Sequence, residues 1–288
     1  MGIIFGLLSM LGWGTADFFG AIASRKIGHF STILWMQIVG FGFALIYFLL
    51  NFSSFNLNDV PKFLLVLIIS GFLQAVAFLA FYKGFEEGLV SVVSPIGASW
   101  ALITVILSLI FFQEILSMNQ VSAIILIISG IILISTNIKE FAKTRKIIFL
   151  KGVKEGIMAM FGWGIAMFLI VPPAKALGWF VPILTLRLFT ILFLIIFLSF
   201  NKNYKQSSQN LRFSLFPILF LIGFFDVIAF FTYNLGVIGN YTSIVASVGG
   251  SFSLVTIILA RIFLKEKLVV SQIAGIIGII SGIILISI

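Results

Sequence analysis

Ser129-Gly-Ile-Ile-Leu-Ile-Ser135 recurs letter for letter as Ser281-Gly-Ile-Ile-Leu-Ile-Ser287, 152 positions later. At the same offset Gly71-Phe72-x-Gln74-x-x-Ala77-Phe78 returns as Gly223-Phe224-x-Asp226-x-x-Ala229-Phe230. Ser91, Gly97, Ser99, Leu102, Thr104, Glu114 and Gln120 likewise meet Ser243, Gly249, Ser251, Leu254, Thr256, Glu266 and Gln272. At an offset of 150, Gly12-Trp13-Gly14 returns as Gly162-Trp163-Gly164. A chain written twice and almost wholly apolar points to a membrane transporter built around a site between its halves.

Composition narrows the class further. The 288 residues are 61% hydrophobic and 9% charged, with mean hydropathy +1.25. A soluble domain could not keep such a surface in water, whereas runs of about 20 apolar residues each cross about 30 Å of hydrocarbon. Cysteine is absent, which removes disulfides, thiol catalysis and thiolate metal sites. The single histidine, His29, falls in a short connection and cannot form a cluster, so neither a metal nor a cofactor is expected. The chain opens on Gly2-Ile3-Ile4-Phe5 without a basic region, so the first run reads as a retained span rather than a cleaved signal. The formal charge of +9 is spread over short connections and forms no basic domain. It orients a membrane protein, and nucleic acid is not expected as a partner.

Ten spans follow from the apolar runs: 2–22, 30–50, 61–82, 89–112, 117–136, 152–171, 179–200, 212–234, 241–264 and 268–288. Only helices satisfy their own backbone over such runs in lipid, and no segment alternates as a barrel strand would. The expected fold is therefore an all-α polytopic membrane protein with ten transmembrane helices. They form two five-helix repeats, residues 1–136 and 152–288, joined by a basic cytoplasmic linker at 137–151. Five is odd, so the two copies must enter the membrane in opposite senses and form an inverted pair.

Orientation follows from the loop cations. Fifteen of the 18 Lys and Arg fall on one side of this topology, including Arg25, Lys26, Lys83 and the run Lys139 to Lys154. That side is expected to face the cytoplasm, with both termini outside the cytoplasmic membrane.

Gly12-Trp13-Gly14-Thr15 in the first span, Phe111-Phe112-Gln113-Glu114 and its repeat Phe263-Leu264-Lys265-Glu266 complete a recognisable pattern. Together with two five-span repeats, they resemble the EamA-type transporters of the drug/metabolite transporter superfamily. The resemblance covers the whole chain and implies movement of small metabolites, without naming the cargo or supplying a catalytic signature.

Polar groups inside the spans are few. A charge at mid-bilayer costs at least about 2.5–3.5 kcal/mol, so it normally faces a cavity or a partner. Asp17, Arg187 and Asp226 are the three clearest. Asp226 repeats Gln74 and Arg187 repeats Gln37, so the duplication relates two neutral groups to two charged ones. Arg187 and Asp226 lie at similar depths, about 12 Å from one face at 1.5 Å per residue, and an ion pair between them is feasible. A pair that merely braces two helices is the plain alternative. Asp17 has Met167 at its repeat position; its plain reading is a rim carboxylate near Arg25. Asp17 and Asp226 are the carboxylates available to a proton-coupled cycle. Trp13 and Trp163, each between glycines, rank highest among the aromatics that could stack on cargo, ahead of Trp35, Trp100, Tyr82 and Tyr233.

Pro95 in the fourth span aligns with a segment ending in Gly249-Gly250 in the ninth. Breaks at corresponding places in two repeats suggest gating hinges, Pro95 near the inner face and Gly249-Gly250 near the outer. Tight helix packing is the competing explanation. Glu114 and Glu266 read as solvated carboxylates opening the next helix, and Glu86 and Glu87 as solvated loop charges.

The leading expectation is a secondary transporter of a small polar metabolite, acting as a monomer or homodimer by alternating access. No Gly-x-x-x-x-Gly-Lys-Ser/Thr loop supplies an ATP motor. A membrane enzyme would need a nucleophile–base set or metal ligands, and one histidine without cysteine argues against it. A lipid-linked-substrate flippase, a receptor and a structural subunit stay open as alternatives.

Overall fold

The computed structural model describes residues 1–55, 57–135, 151–200, 215–265 and 269–287, and all regular structure among them is helical. The linker at 137–151 lies almost wholly outside the described residues. So do Lys202, Lys205, Arg212, Glu266 and Lys267.

α1 (Gly2–Ile27) and α2 (His29–Leu50) meet at Gly28, whose φ of 83° lets the chain turn within one residue. α3 (Val60–Glu87) carries Pro61 in its first turn, where its missing N–H would have no partner within the helix. Arg25 closes the other end of α3, donating to Phe85 O at 3.1 Å and Gly88 O at 3.0 Å. Glu86 belongs to α3, not to a loop, and its carboxylate accepts from the His29 backbone N–H at the start of α2 at 2.8 Å. The same oxygen lies 2.8 Å from His29 Nδ1.

α4 (Val90–Ala98) and α5 (Trp100–Phe111) form one broken span, followed by α6 (Met118–Ser135). The second half contains α7 (Val153–Leu169), α8 (Val171–Leu177), α9 (Val181–Phe200) and α10 (Phe216–Gly239). It closes with α11 (Thr242–Gly250), α12 (Phe252–Phe263) and α13 (Val270–Ser287). Eight helical runs among the described residues are long and apolar enough to cross a bilayer, and Met118–Leu133 and Ile273–Leu285 are shorter apolar helices.

Packing exchanges when the halves are exchanged. α1 lies against α10 and the α11–α12 pair, and α7 lies against α3 and the α4–α5 pair. α6 lies along α13. The contacts match residue by residue. A Cβ added at Gly12 would lie 2.8 Å from Ala229 Cβ, and one at Gly162 would lie 2.9 Å from Ala77 Cβ. Ala229 and Ala77 are themselves repeat mates. Glycine is required at both places because the helices leave no room for a side chain. Thr104 Oγ1 donates to Gly164 O at 2.9 Å, and its mate Thr256 donates to Gly14 O at 3.2 Å. In hydrocarbon such bonds satisfy hydroxyls that have no water to turn to.

Candidate functional site

A small cavity of about 20 Å³ lies where α1, α7 and α10 meet the α4–α5 and α11–α12 breaks. Its walls are repeat mates facing one another: Trp13 and Trp163, Phe78 and Phe230, Trp100 and Phe252, Asp17 and Met167. Asp226 completes the lining. The rings meet edge to face in matching pairs, as aromatic quadrupoles prefer. Trp13 stands on Phe230 at 5.2 Å and 84°, and Trp163 stands on Phe78 at 5.2 Å and 78°. Every lining side chain is buried, and the gaps between them would pass a water molecule but no metabolite.

A second gap, too narrow for a water molecule, is lined by Gln37, Gln74, Arg187, Leu186 and Thr190, and it shares Phe78 and Phe230 with the first. Arg187 Nη2 donates to Asp226 Oδ2 at 2.6 Å and Nη1 donates to Gln37 Oε1 at 3.0 Å. The guanidinium carbon also sits 5.3 Å from the centroid of the Phe230 ring. Arg187 Nε and both amide atoms of Gln74 are buried without a hydrogen-bond partner among the described residues. The seven candidate residues thus cluster, but in two adjoining chambers. Phe78 and Phe230 border both, Asp226 belongs to the tryptophan side, and Arg187 reaches it through the ion pair.

Asp17 departs from the rim reading. Apolar sequence thins at Ser24, yet the helix runs on to Ile27, which leaves Asp17 about 15 Å from that end at 1.5 Å per residue. Its side chain lines the tryptophan cavity, and Arg25 is engaged with α3 instead. Asp17 has no hydrogen-bond or ion-pair partner among the described residues.

The breaks also differ from expectation. They fall one turn after Pro95, at Ser99, and just after Gly250, at Ser251. Each serine turns its hydroxyl back along the helix: Ser99 Oγ donates to Pro95 O at 3.0 Å and Ser251 Oγ to Ser247 O at 2.9 Å. They do not lie toward opposite faces. A Cβ at Gly250 would run into Ala101, just past the first break, while one at Gly249 would lie 3.4 Å from the Trp13 ring.

Glu114 is not a solvated helix opener. It crosses to the other half and accepts from Thr242 N at 2.6 Å, Ser243 N at 3.0 Å and the Ser243 hydroxyl. It therefore caps α11, where free N–H groups attract a carboxylate. Among the other aromatics, Trp100 lines the cavity, Tyr233 lies tilted against Trp13 at 5.5 Å, and Tyr82 donates to Met36 Sδ at 3.3 Å. Trp35 packs against the core at partial exposure. No group of three or more His, Cys, Asp or Glu among the described residues could hold a metal ion.

The sequence profile described as the EamA-like transporter family matches residues 1–136 and again 150–288. The chain is also similar to "Uncharacterized protein MJ1333.1" of Methanocaldococcus jannaschii, at 38% identity over 133 residues. That match takes 46% of this chain and 95% of the relative. A solved crystal structure superposes over 100% of this chain and 98% of its own, with a TM-score of 0.74 and 14% identity, a likeness of fold.

Proposed function

Because the chain belongs to the EamA-like transporter family and is a multi-pass membrane protein, we propose that it is a secondary transporter moving a small polar metabolite across the cytoplasmic membrane. Ten spans in two inverted five-helix repeats would carry the cargo by alternating access, with both termini outside. One observation carries this reading: the cavity walls are made of repeat mates, so a pseudo-twofold axis passing through the cavity would place it equally between two gates. The exchange of packing partners between halves supports the inversion. A relative that matches less than half of this chain over nearly its own full length is what one copy of a duplicated unit would look like.

The present arrangement would be an occluded state, since every side chain lining the cavity is buried. Pro95, Gly249 and Gly250 are the proposed hinge elements, flanking the two adjoining breaks. Glu114 would act as a latch between halves. Asp17 and Asp226 are the carboxylates through which protons could couple to movement. An enzyme is not proposed, for the cavity holds neither a nucleophile–base set nor a metal cluster among the described residues.

Metabolite profiling of cells with and without the protein would nominate cargo, and uptake into proteoliposomes would test it. Saturable exchange that disappears in a folded Trp13→Ala or Trp163→Ala protein is expected. Uptake that is indifferent to both substitutions would sink the central-cavity reading.

A further inference from the structure

The charge balance of the tryptophan cavity narrows the cargo. Two carboxylates reach it, Asp17 and Asp226. Arg187 neutralises Asp226 at 2.6 Å, but it lines the other chamber, behind the ring of Phe230. Asp17 is 6% exposed and has no partner of either kind among the described residues. A carboxyl buried unpaired in an apolar bundle either keeps its proton or takes a countercharge, and no described residue supplies one on that side. Apart from Met167 the remaining wall is rings: Trp13, Trp100, Trp163, Phe78, Phe230 and Phe252. Their faces carry negative potential and attract cations, most strongly where water is excluded.

We propose that this cavity binds a small organic cation, with its ammonium or quaternary ammonium head among the rings and Asp17 as its counter-ion. The proposal rests on the transport reading and names the class of cargo. Asymmetry between the halves supports it. The repeat position of Asp17 is Met167, so one side of an otherwise mirrored chamber offers a charge and the other a soft thioether. An anion would meet Asp17 and the ring faces, both repulsive. It would find the guanidinium already committed to Asp226 and Gln37. In this arrangement the cavity has room for about one water, so it must widen before any head group enters, and a compact cation asks the least of that opening.

Three of the five tryptophans line the cavity, so intrinsic fluorescence of the purified full-length protein in detergent reports on its occupancy. The probes are choline, its neutral isostere 3,3-dimethylbutan-1-ol and the anion 3,3-dimethylbutanoate. Choline should bind saturably and at least about tenfold more tightly than the alcohol, given a desolvated cation among rings and facing a carboxylate. Asp17→Asn should remove about that factor for choline and leave the alcohol unchanged. Asp17→Glu should recover part of it, with size-exclusion profile and melting temperature verifying the fold of each variant. Equal affinities for choline and the alcohol, tighter binding of the anion, or undiminished choline binding by Asp17→Asn would each overturn the proposal. So would an absence of saturable binding by both choline and tetramethylammonium. The two readings fail differently. Choline binding without exchange across liposomes would remove transport and keep the cation site. Saturable exchange of an anion or neutral compound, uncompeted by choline, would remove the cation site and keep transport.

Discussion

Replacing Asp226 with Asn keeps its size and an acceptor oxygen but deletes the charge facing Arg187. The arginine is 2% exposed and cannot discharge itself, so it would remain a cation without a countercharge. At 2.6 Å and an effective dielectric near 20, the lost attraction is about 6 kcal/mol before any compensation. Gln37 at 3.0 Å and the Phe230 ring at 5.3 Å would still hold the guanidinium. The net cost should therefore fall in the range of about 3–5 kcal/mol seen when one member of a buried pair is removed. For a chain of this size that corresponds to a fall in melting temperature of about 6–20 °C, followed by tryptophan fluorescence in detergent. Arg187→Gln combined with Asp226→Asn removes both charges and should recover most of the loss. If that double variant also transports, the pair is only a brace; if it folds and stays silent, the pair serves the cycle. A single Asp226→Asn variant melting within about 2 °C of the parent would refute the reasoning, because an uncompensated buried charge cannot be so cheap.

Other outcomes can be checked separately. Glu114→Gln should weaken the cap on α11 by about 1–3 kcal/mol and raise labelling of a cysteine introduced at Ile244 by an impermeant maleimide; unchanged labelling would remove the latch. Gly250→Ala should abolish transport or folding because its Cβ would meet Ala101, whereas Gly42→Ala, with nothing within 4 Å, should be neutral. Pro95→Ala should leave the fold intact and slow exchange; equal rates would reduce Pro95 to packing. A cysteine at Ala142 should be protected from the same maleimide in intact cells, since the cation-rich side is expected to be cytoplasmic.

Much of this was readable in the sequence because hydrocarbon tolerates so few polar groups. Arg187 and Asp226 stood out for that reason, and the repeat aligned them with Gln37 and Gln74. The aromatic wall was harder to find. Phe72 and Phe78 share one motif, yet Phe72 is 42% exposed and Phe78 is 4%. Among 34 phenylalanines, composition cannot tell a lipid-facing ring from a cavity-facing one. Asp17 was misjudged because hydropathy marks where apolar sequence ends, whereas hydrogen bonding carries the helix to Ile27. Glu114 was misread because its partner Thr242 lies 128 positions away, beyond the reach of local capping patterns. The breaks at Ser99 and Ser251 escaped attention because neither residue is a glycine or proline. A serine that folds its hydroxyl back onto the preceding turn leaves only a faint mark in sequence.

The crossed packing of the halves has a consequence for how the chain is made. Ser9 shares a hydrogen bond with Thr232, 223 residues further along. At the usual 5–20 residues per second, α1 waits roughly 11–45 s after synthesis for α10 to emerge. During that interval Gly12, Trp13 and Asp17 face lipid, the insertion machinery or provisional neighbours instead of their final partners. Insertion of the early spans must tolerate an exposed carboxylate for the time it takes to translate most of the protein. A stalled or truncated chain would leave that surface uncovered, a ready mark for membrane quality control.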